Sequence, residues 1–178
     1  MATILVTGAS RGIGLEFVRQ ILRTPHTFVF AACRNTSKAN PLLPEVLRDS
    51  GKLLEMDVAD QHSIASSAEA IDKSGRKIDI LINNAGILPD SFEKVSEATP
   101  ENMMKAYQVN VIGPLLICQH FLPLLVSKSG GLSLIPCRTM EPRRSPWLSM
   151  SALGWLRLQI TPVEEFLPTD AAKLLLIN

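Results

Sequence analysis

Short apolar runs alternate with amphipathic stretches along the first 128 residues. Thr3 to Val6, Phe28 to Ala32, Leu53 to Met56 and Ile78 to Ile82 are each of strand length. The segments between them are long enough for a helix, and after Gly14 the residues Leu15, Val18, Ile21 and Leu22 share one helical face. Strand and helix in alternation imply crossover connections, so the predicted fold class is α/β, a doubly wound parallel sheet. A further long helix is predicted from about Glu101 to Ser127. Pro114 falls inside it. Lacking an amide to donate, and crowding the turn before it, that proline should kink or interrupt the helix.

The pattern changes after Ser129. Five prolines lie between Pro136 and Pro168, and the stretch CRTMEPRRSPW has neither helical nor strand periodicity, so it reads as loop. A short helix over Trp147 to Gln159 and a strand or helix end over Ala171 to Ile177 are the remaining candidates. No internal repeat is present. The boundary near Ser129 is either biological or the mark of a disrupted reading frame, and the predicted sheet is incomplete on its C-terminal side.

Composition narrows the class. The chain has 178 residues, 46% hydrophobic and 20% charged, which suits one globular domain with a short remainder and excludes wholesale disorder. Eighteen Lys and Arg against 17 Asp and Glu leave a net charge of +1. With no basic stripe, nucleic-acid binding lacks electrostatic support. No apolar run approaches the roughly 20 residues of a membrane span. Cys33, Cys118 and Cys137 are odd in number and far apart, which excludes a disulfide scaffold and offers no zinc spacing. The opening MATILVTGAS has no basic leader, so a reduced, cytoplasmic setting is the expectation. His26, His62 and His120 are scattered, read as surface residues or filler, and make no metal site.

The strongest chemical signal is Thr7-Gly8-Ala9-Ser10-Arg11-Gly12-Ile13-Gly14, directly after a strand and directly before a helix. Gly8 permits the tight turn, Gly12 removes a side chain where a pyrophosphate must approach the backbone, and Gly14 allows close packing of the helix. Free amides at the helix start, carrying about half a positive charge, then face the phosphates. A glycine triplet alone is weak; the strand–loop–helix context makes it a dinucleotide-binding signature of the Rossmann type. The second strand ends in Cys33-Arg34 with no acid. An arginine there can pair with a 2′-phosphate and favours NADP(H) over NAD, with Arg11 as a second contact. The alternative is that Arg34 simply begins a solvated loop.

Three further motifs follow in order: Asp57-Val58 after the third strand, Asn83-Asn84-Ala85-Gly86 after the fourth, and Asn110 within QVNVIGP. Together with TGASRGIG they resemble the short-chain dehydrogenase/reductase family. The CRN at the end of the second strand and the stretch NVIGPLLICQHFLPLL look most like its C-factor or sniffer-type carbonyl reductases. The resemblance covers about residues 2 to 128. It implies an NAD(P)-binding Rossmann domain over 1–128, with 129–178 a divergent or truncated remainder. It further implies that Asp57 holds the adenine amino group and the Val58 amide a ring nitrogen. Asn84, Ala85 and Gly86 would lie beside the adenine ribose. Asn110 matches the family's active-site asparagine, whose helix kink supports a proton-relay water. Read without the family, Asp57 would be a strand-end cap, NNAG a turn, and Asn110 a helix residue bonded locally. The cofactor-binding set is thus Gly8, Ser10, Arg11, Gly12, Ile13, Gly14, Arg34, Asp57, Val58, Asn84, Ala85 and Gly86, with Asn110 catalytic.

Carbonyl reduction in that family also uses a tyrosine to protonate the oxygen, a lysine four residues later, and a serine. Acid catalysis of this kind is worth about a hundred- to ten-thousand-fold. Here the only tyrosine is Tyr107, before the asparagine motif, and the only lysine after Lys128 is Lys173. The stretch SMSALGWL, Ser149 to Leu156, is similar to the segment after the family's tyrosine; on that register Pro146 replaces the tyrosine and Met150 the lysine. For the serine, Cys137 and Ser133 are rival positions. Thr161 to Glu165, TPVEE, is similar to a late family segment. Tyr107 as a substitute acid is the weaker reading, because a helix tyrosine is more often core or interface.

The implied function is therefore NADP-dependent reduction of small carbonyl compounds by hydride transfer, with the Tyr and Lys of catalysis missing. The alternative is a catalytically inactive NADP(H)-binding pseudoenzyme or a truncated product. The candidate assembly is a homodimer through the long helix 103–126; no nucleic acid and no membrane are expected as partners. An interaction-only protein is a third hypothesis.

Overall fold

A computed structural model describes residues 1–41, 43–88, 95–125 and the backbone of 134–136. In chain order the elements are β1 (Ala2–Thr7), α1 (Gly12–Ile21), β2 (Thr27–Cys33), α2 (Leu43–Leu47), β3 (Gly51–Glu55), α3 (Gln61–Lys73), β4 (Ile80–Asn83), α4 (Pro100–Tyr107), α5 (Gly113–Phe121) and β5 (Leu134–Pro136). The strands form one parallel sheet in the order β3-β2-β1-β4-β5.

Why these runs become strands is visible in which face each residue serves. Leu5, Phe28, Phe30 and Leu81 point to one side, where they meet Ile64 and Ile71 of α3 and Ile117 and Phe121 of α5. Their alternate neighbours Ile4, Val6, Val29, Ala31, Ile80 and Ile82 point to the other, against Val18 and Ile21 of α1 and Leu43 and Leu47 of α2. A strand covered on both faces needs apolar residues at every position, and all seven residues of β2 are buried. Burying a side chain such as Phe121 completely contributes about 1.5–3 kcal/mol. The doubly wound sheet expected from the alternation is the fold found.

β1 and β2 each run one residue further at both ends than their apolar runs; three larger departures from the sequence pattern each have a physical reason. β3 runs Gly51–Glu55 rather than Leu53 to Met56. As the strand at one edge it exposes Lys52 and Glu55, so the apolar run marks only its covered part. The fourth run splits. Asp79 accepts the Thr3 amide on Oδ2 at 2.8 Å and donates its own N–H to the Thr3 carbonyl, leaving Ile78 to pair singly with Leu125 while β4 starts at Ile80.

The long helix expected to Ser127 stops sooner: α5 ends at Phe121, and Leu122–Leu124 form a single tighter turn around Pro123. Pro114 acts as expected. Immediately before it, Gln108–Ile112 widen into a π turn whose closing bond runs from the Gly113 N–H to the Gln108 carbonyl, because Pro114 has no N–H to return to Asn110. The expected helix over 147–159 and the element over 171–177 lie outside the described residues.

Candidate functional site

A parallel sheet brings the ends of all its strands to one edge, and the ligand crevice opens where the strand order reverses. Here that point lies between β1 and β4: from β1 the chain builds β2 and β3 to one side, then returns to β4 on the other. The loops after these two strands are tied together by one side chain. Thr7 Oγ1 accepts the backbone N–H of Asn84 at 3.0 Å and that of Ala85 at 2.9 Å. Asn84 answers with its own amide, Nδ2 donating to the Thr7 carbonyl at 2.9 Å and, more weakly, to the Gly8 carbonyl at 3.4 Å.

Two glycines make this closure sterically feasible. Gly8 has φ +67°, and a Cβ there would lie 2.8 Å from the Ala85 Cα. At Gly14 a Cβ would collide with the Gly8 carbonyl oxygen and come 2.5 Å from Asn84 Nδ2. Any side chain at either position would push the glycine loop off the NNAG loop.

The start of α1 is free to hold an anion. Its cap residue, Arg11, is extended and forms no capping hydrogen bond, and the first turn contains no acid. A Cβ at Gly12 would meet nothing within 4 Å, so the backbone here borders open space. Ten residues of aligned peptide dipoles point their positive end at it. The site therefore fits a pyrophosphate. Ile13 is 51% exposed beside it, and Ser10 is half-buried, its carbonyl accepting the Asn40 N–H at 3.1 Å.

Arg34 follows β2 and is exposed, as is Arg11. The turn after Arg34 is built by Asn35, whose Oδ1 accepts the Lys38 N–H at 3.1 Å, and by Thr36, whose hydroxyl donates to Glu55 Oε2 at 3.1 Å. Lys38, exposed in that turn, is a second cation on this side that the sequence reading passed over. Basic residues just after the second strand are the signal that points to it. Asp57 accepts the Ala59 N–H on Oδ1 at 2.9 Å, while its own N–H goes to Ser63 Oγ at 2.9 Å. Val58 is buried against the core.

Asn110 sits in the π turn and grips Ile87 from both sides: Oδ1 accepts the Ile87 N–H at 2.9 Å, and Nδ2 donates to the Ile87 carbonyl at 2.8 Å. It thus acts like a strand partner for the NNAG loop 23 positions away. Gly86 lies against it, where a Cβ would come 3.3 Å from Oδ1.

The structure accordingly gathers Gly8, Gly12, Gly14, Asn84, Ala85, Gly86 and Asn110 around the reversal point. Arg34, Asp57 and Val58 follow the two strands on one side of it. Thr7, absent from the expected set though adjacent to its first glycine, is the residue that joins the loops. Tyr107 is not a core residue: it is 53% exposed on α4, a helix with no buried positions. Ser133, Cys137, Pro146 and Met150 lie outside the described residues, as do Thr161 to Glu165.

Burial pushes the Cys33 thiol up, helped by the Glu55 charge, and burial likewise raises Cys118. Both are free cysteines. Among the described residues no His, Cys, Asp and Glu cluster could hold a metal, and no helix is long and apolar enough to cross a membrane.

Comparison with known proteins agrees with this geometry. The family model for short chain dehydrogenases matches residues 2–135. A short chain dehydrogenase of Penicillium aethiopicum, gsfK, is 35% identical over 133 residues, 73% of this chain and 53% of that protein. An NADPH-dependent pterin aldehyde reductase of Arabidopsis thaliana is 29% identical over 131 residues, again 73% of this chain and 53% of the relative. Among solved structures, the NADPH-bound carbonyl reductase from chicken fatty liver superposes with a TM-score of 0.62 at 33% identity, covering 70% of this chain and 51% of that one. The chain spans about half the length of the curated relatives it matches. With strand order, glycine loop, NNAG loop and asparagine turn all in place, the chain belongs to the short-chain dehydrogenase family of oxidoreductases.

Proposed function

We propose that the chain binds NADP(H) in the cleft between the ends of β1 and β4, and that the chemistry of its lineage is the reduction of small carbonyl compounds. The observation that carries the proposal is the uncapped start of α1 beside the open face of Gly12, held in place by the Thr7–Asn84 closure. In the proposal Gly8, Ser10, Arg11, Gly12, Ile13 and Gly14 cradle the pyrophosphate side. Arg34, with Arg11, receives the 2′-phosphate. Asp57 and Val58 hold the adenine, and Asn84, Ala85 and Gly86 its ribose. Preference for the phosphorylated cofactor is supported by the absence of an acid after β2 and the presence of Arg34 and Lys38 there. The related structure with NADPH bound is consistent with it.

The cofactor would supply the hydride. For the proton, this chain offers no tyrosine–lysine pair: Tyr107 is its only tyrosine. Neither Pro146 nor Met150, which stand in the matching register, can donate a proton or carry a charge. Asn110 holds the Ile87 backbone but cannot act as an acid. A chain that binds NADP(H) without turnover is therefore the second proposal, and the missing pair favours it. The binding domain is taken as residues 1–128, with 129–178 a divergent remainder.

Pairing of two copies through α4 and α5 belongs to the same proposal, supported by the exposed apolar stripe Met103, Tyr107, Val111 and Leu115 at four-residue intervals. A cytoplasmic setting is supported by the free thiols of Cys33 and Cys118.

Titration of the purified chain with NADPH, followed by cofactor fluorescence, is expected to saturate, and Gly14→Asp is expected to abolish the signal. A folded wild-type chain that fails to bind would end both proposals. NADPH oxidation across aldehydes, ketones and quinones separates them: turnover supports the reductase, and binding without turnover supports the inactive form. In Arg34→Asp, a surface change, the NADPH dissociation constant should rise about ten- to a hundredfold while that for NADH changes little, because a charge-assisted contact to phosphate is lost. Equal changes for both cofactors would refute the role of Arg34. Sedimentation velocity should show a dimer that Tyr107→Glu converts to monomer; a monomeric wild type at every concentration would refute the pairing.

A further inference from the structure

The π turn does more than displace Asn110. Three attachments leave it in two directions. Gln108 Nε2 donates to the Ala59 carbonyl at 3.4 Å. Gly113, at the far end of the turn, lies so close to the preceding loop that a Cβ would come 2.6 Å from the Val58 carbonyl oxygen and 3.4 Å from the Val58 Cβ. In the other direction Asn110 holds both backbone groups of Ile87.

The two segments so gripped, 57–59 after β3 and 84–88 after β4, follow strands that are not neighbours, since β2 and β1 stand between them in the sheet. Sheet hydrogen bonds fix them to each other only through two intervening strands. The π turn spans the gap directly, and its extra residue is what lets one helical segment present Gln108, Asn110 and Gly113 to different loops.

We infer that Gln108 and Gly113 are positioning residues. They set the Asp57–Ala59 turn against the helical turn that carries Asn110, so the two loops that flank the proposed adenosine site are held by one rigid strut. The inference rests on the cofactor proposal above and adds to it a mechanical link: filling the adenine side steadies the loop held by Asn110. Gln108 supplies the polar half of the link, and Gly113 supplies the close approach that only a missing side chain permits.

The test uses 2′,5′-ADP, which occupies only the adenine side, titrated calorimetrically against the full-length chain. Gln108→Glu removes the donor and sets a carboxylate against the Ala59 carbonyl. It should weaken 2′,5′-ADP binding about two- to tenfold, the range of one hydrogen bond to a neutral group. Gln108→Lys, which restores a donor of similar reach, should recover most of the affinity. At saturating 2′,5′-ADP, amide exchange at Ile87, the residue gripped by Asn110 beside the ribose contacts, should be slower in the wild type than in Gln108→Glu. Unchanged affinity in Gln108→Glu, or equal exchange at Ile87 in the variant and the wild type at saturation, would overturn the inference and leave the cofactor proposal standing. A folded wild type that binds neither 2′,5′-ADP nor NADPH would overturn both. Should Gln108→Glu fail to fold, Gln108→Met, which keeps the length of the side chain and removes its donor, is put through the same two measurements and decides by the same outcomes.

Discussion

One hydroxyl group holds the site together. Thr7 ends β1, and its Oγ1 takes two backbone donors from the loop after β4, while Asn84 returns its side-chain amide to the carbonyls of Thr7 and Gly8. Four hydrogen bonds between the same two short segments make each loop the other's template. The steric requirements at Gly8 and Gly14 follow, because the loops must approach within backbone contact for those bonds to form. The start of α1 beside them is uncapped: Arg11 makes no side-chain capping hydrogen bond, and the first turn holds no acid.

The remainder of the fold serves to bring these two strand ends side by side. β1 and β4 are neighbours although β2 and β3 separate them in the chain, and the sheet is packed on both faces by the helices that make the crossovers possible. Asn110 then fixes the outer end of the NNAG loop from a different direction, through a turn of helix widened ahead of a proline. Hydride chemistry at a carbonyl also needs a proton donor, and the chain's single tyrosine stands exposed on α4. Family membership and catalytic competence are thus separate questions for this chain, decided by different residues.

Much of this was legible in the residues themselves. Strands buried on both faces require unbroken apolar runs, which is why Thr3 to Val6 and Phe28 to Ala32 stood out and were displaced by only one residue at each end. The edge strand β3 was displaced further, since Lys52 and Glu55 carry no hydrophobic signal. Glycines and asparagines at fixed intervals announced the loops. Their mutual attachment was not legible, because Thr7 and Asn84 are 77 positions apart and a hydrogen bond over that distance leaves no local pattern. The π turn was half legible: Pro114 announced a disturbance, but a one-residue widening does not show in a periodicity blurred by Met103, Met104 and Leu122 on exposed faces. The early end of α5 at Phe121, before the turn around Pro123, was missed because the apolar run continues through both.

The most direct measurement is hydrogen–deuterium exchange of the wild-type chain with and without saturating NADPH. The expected result is protection confined to the amides of residues 10–15, 34–38, 57–59 and 84–88, the four segments that carry the proposed contacts, with the outer strand residues unchanged. Protection elsewhere in a folded chain, or none at saturating cofactor, would contradict a nucleotide site organised by Thr7 and Asn84.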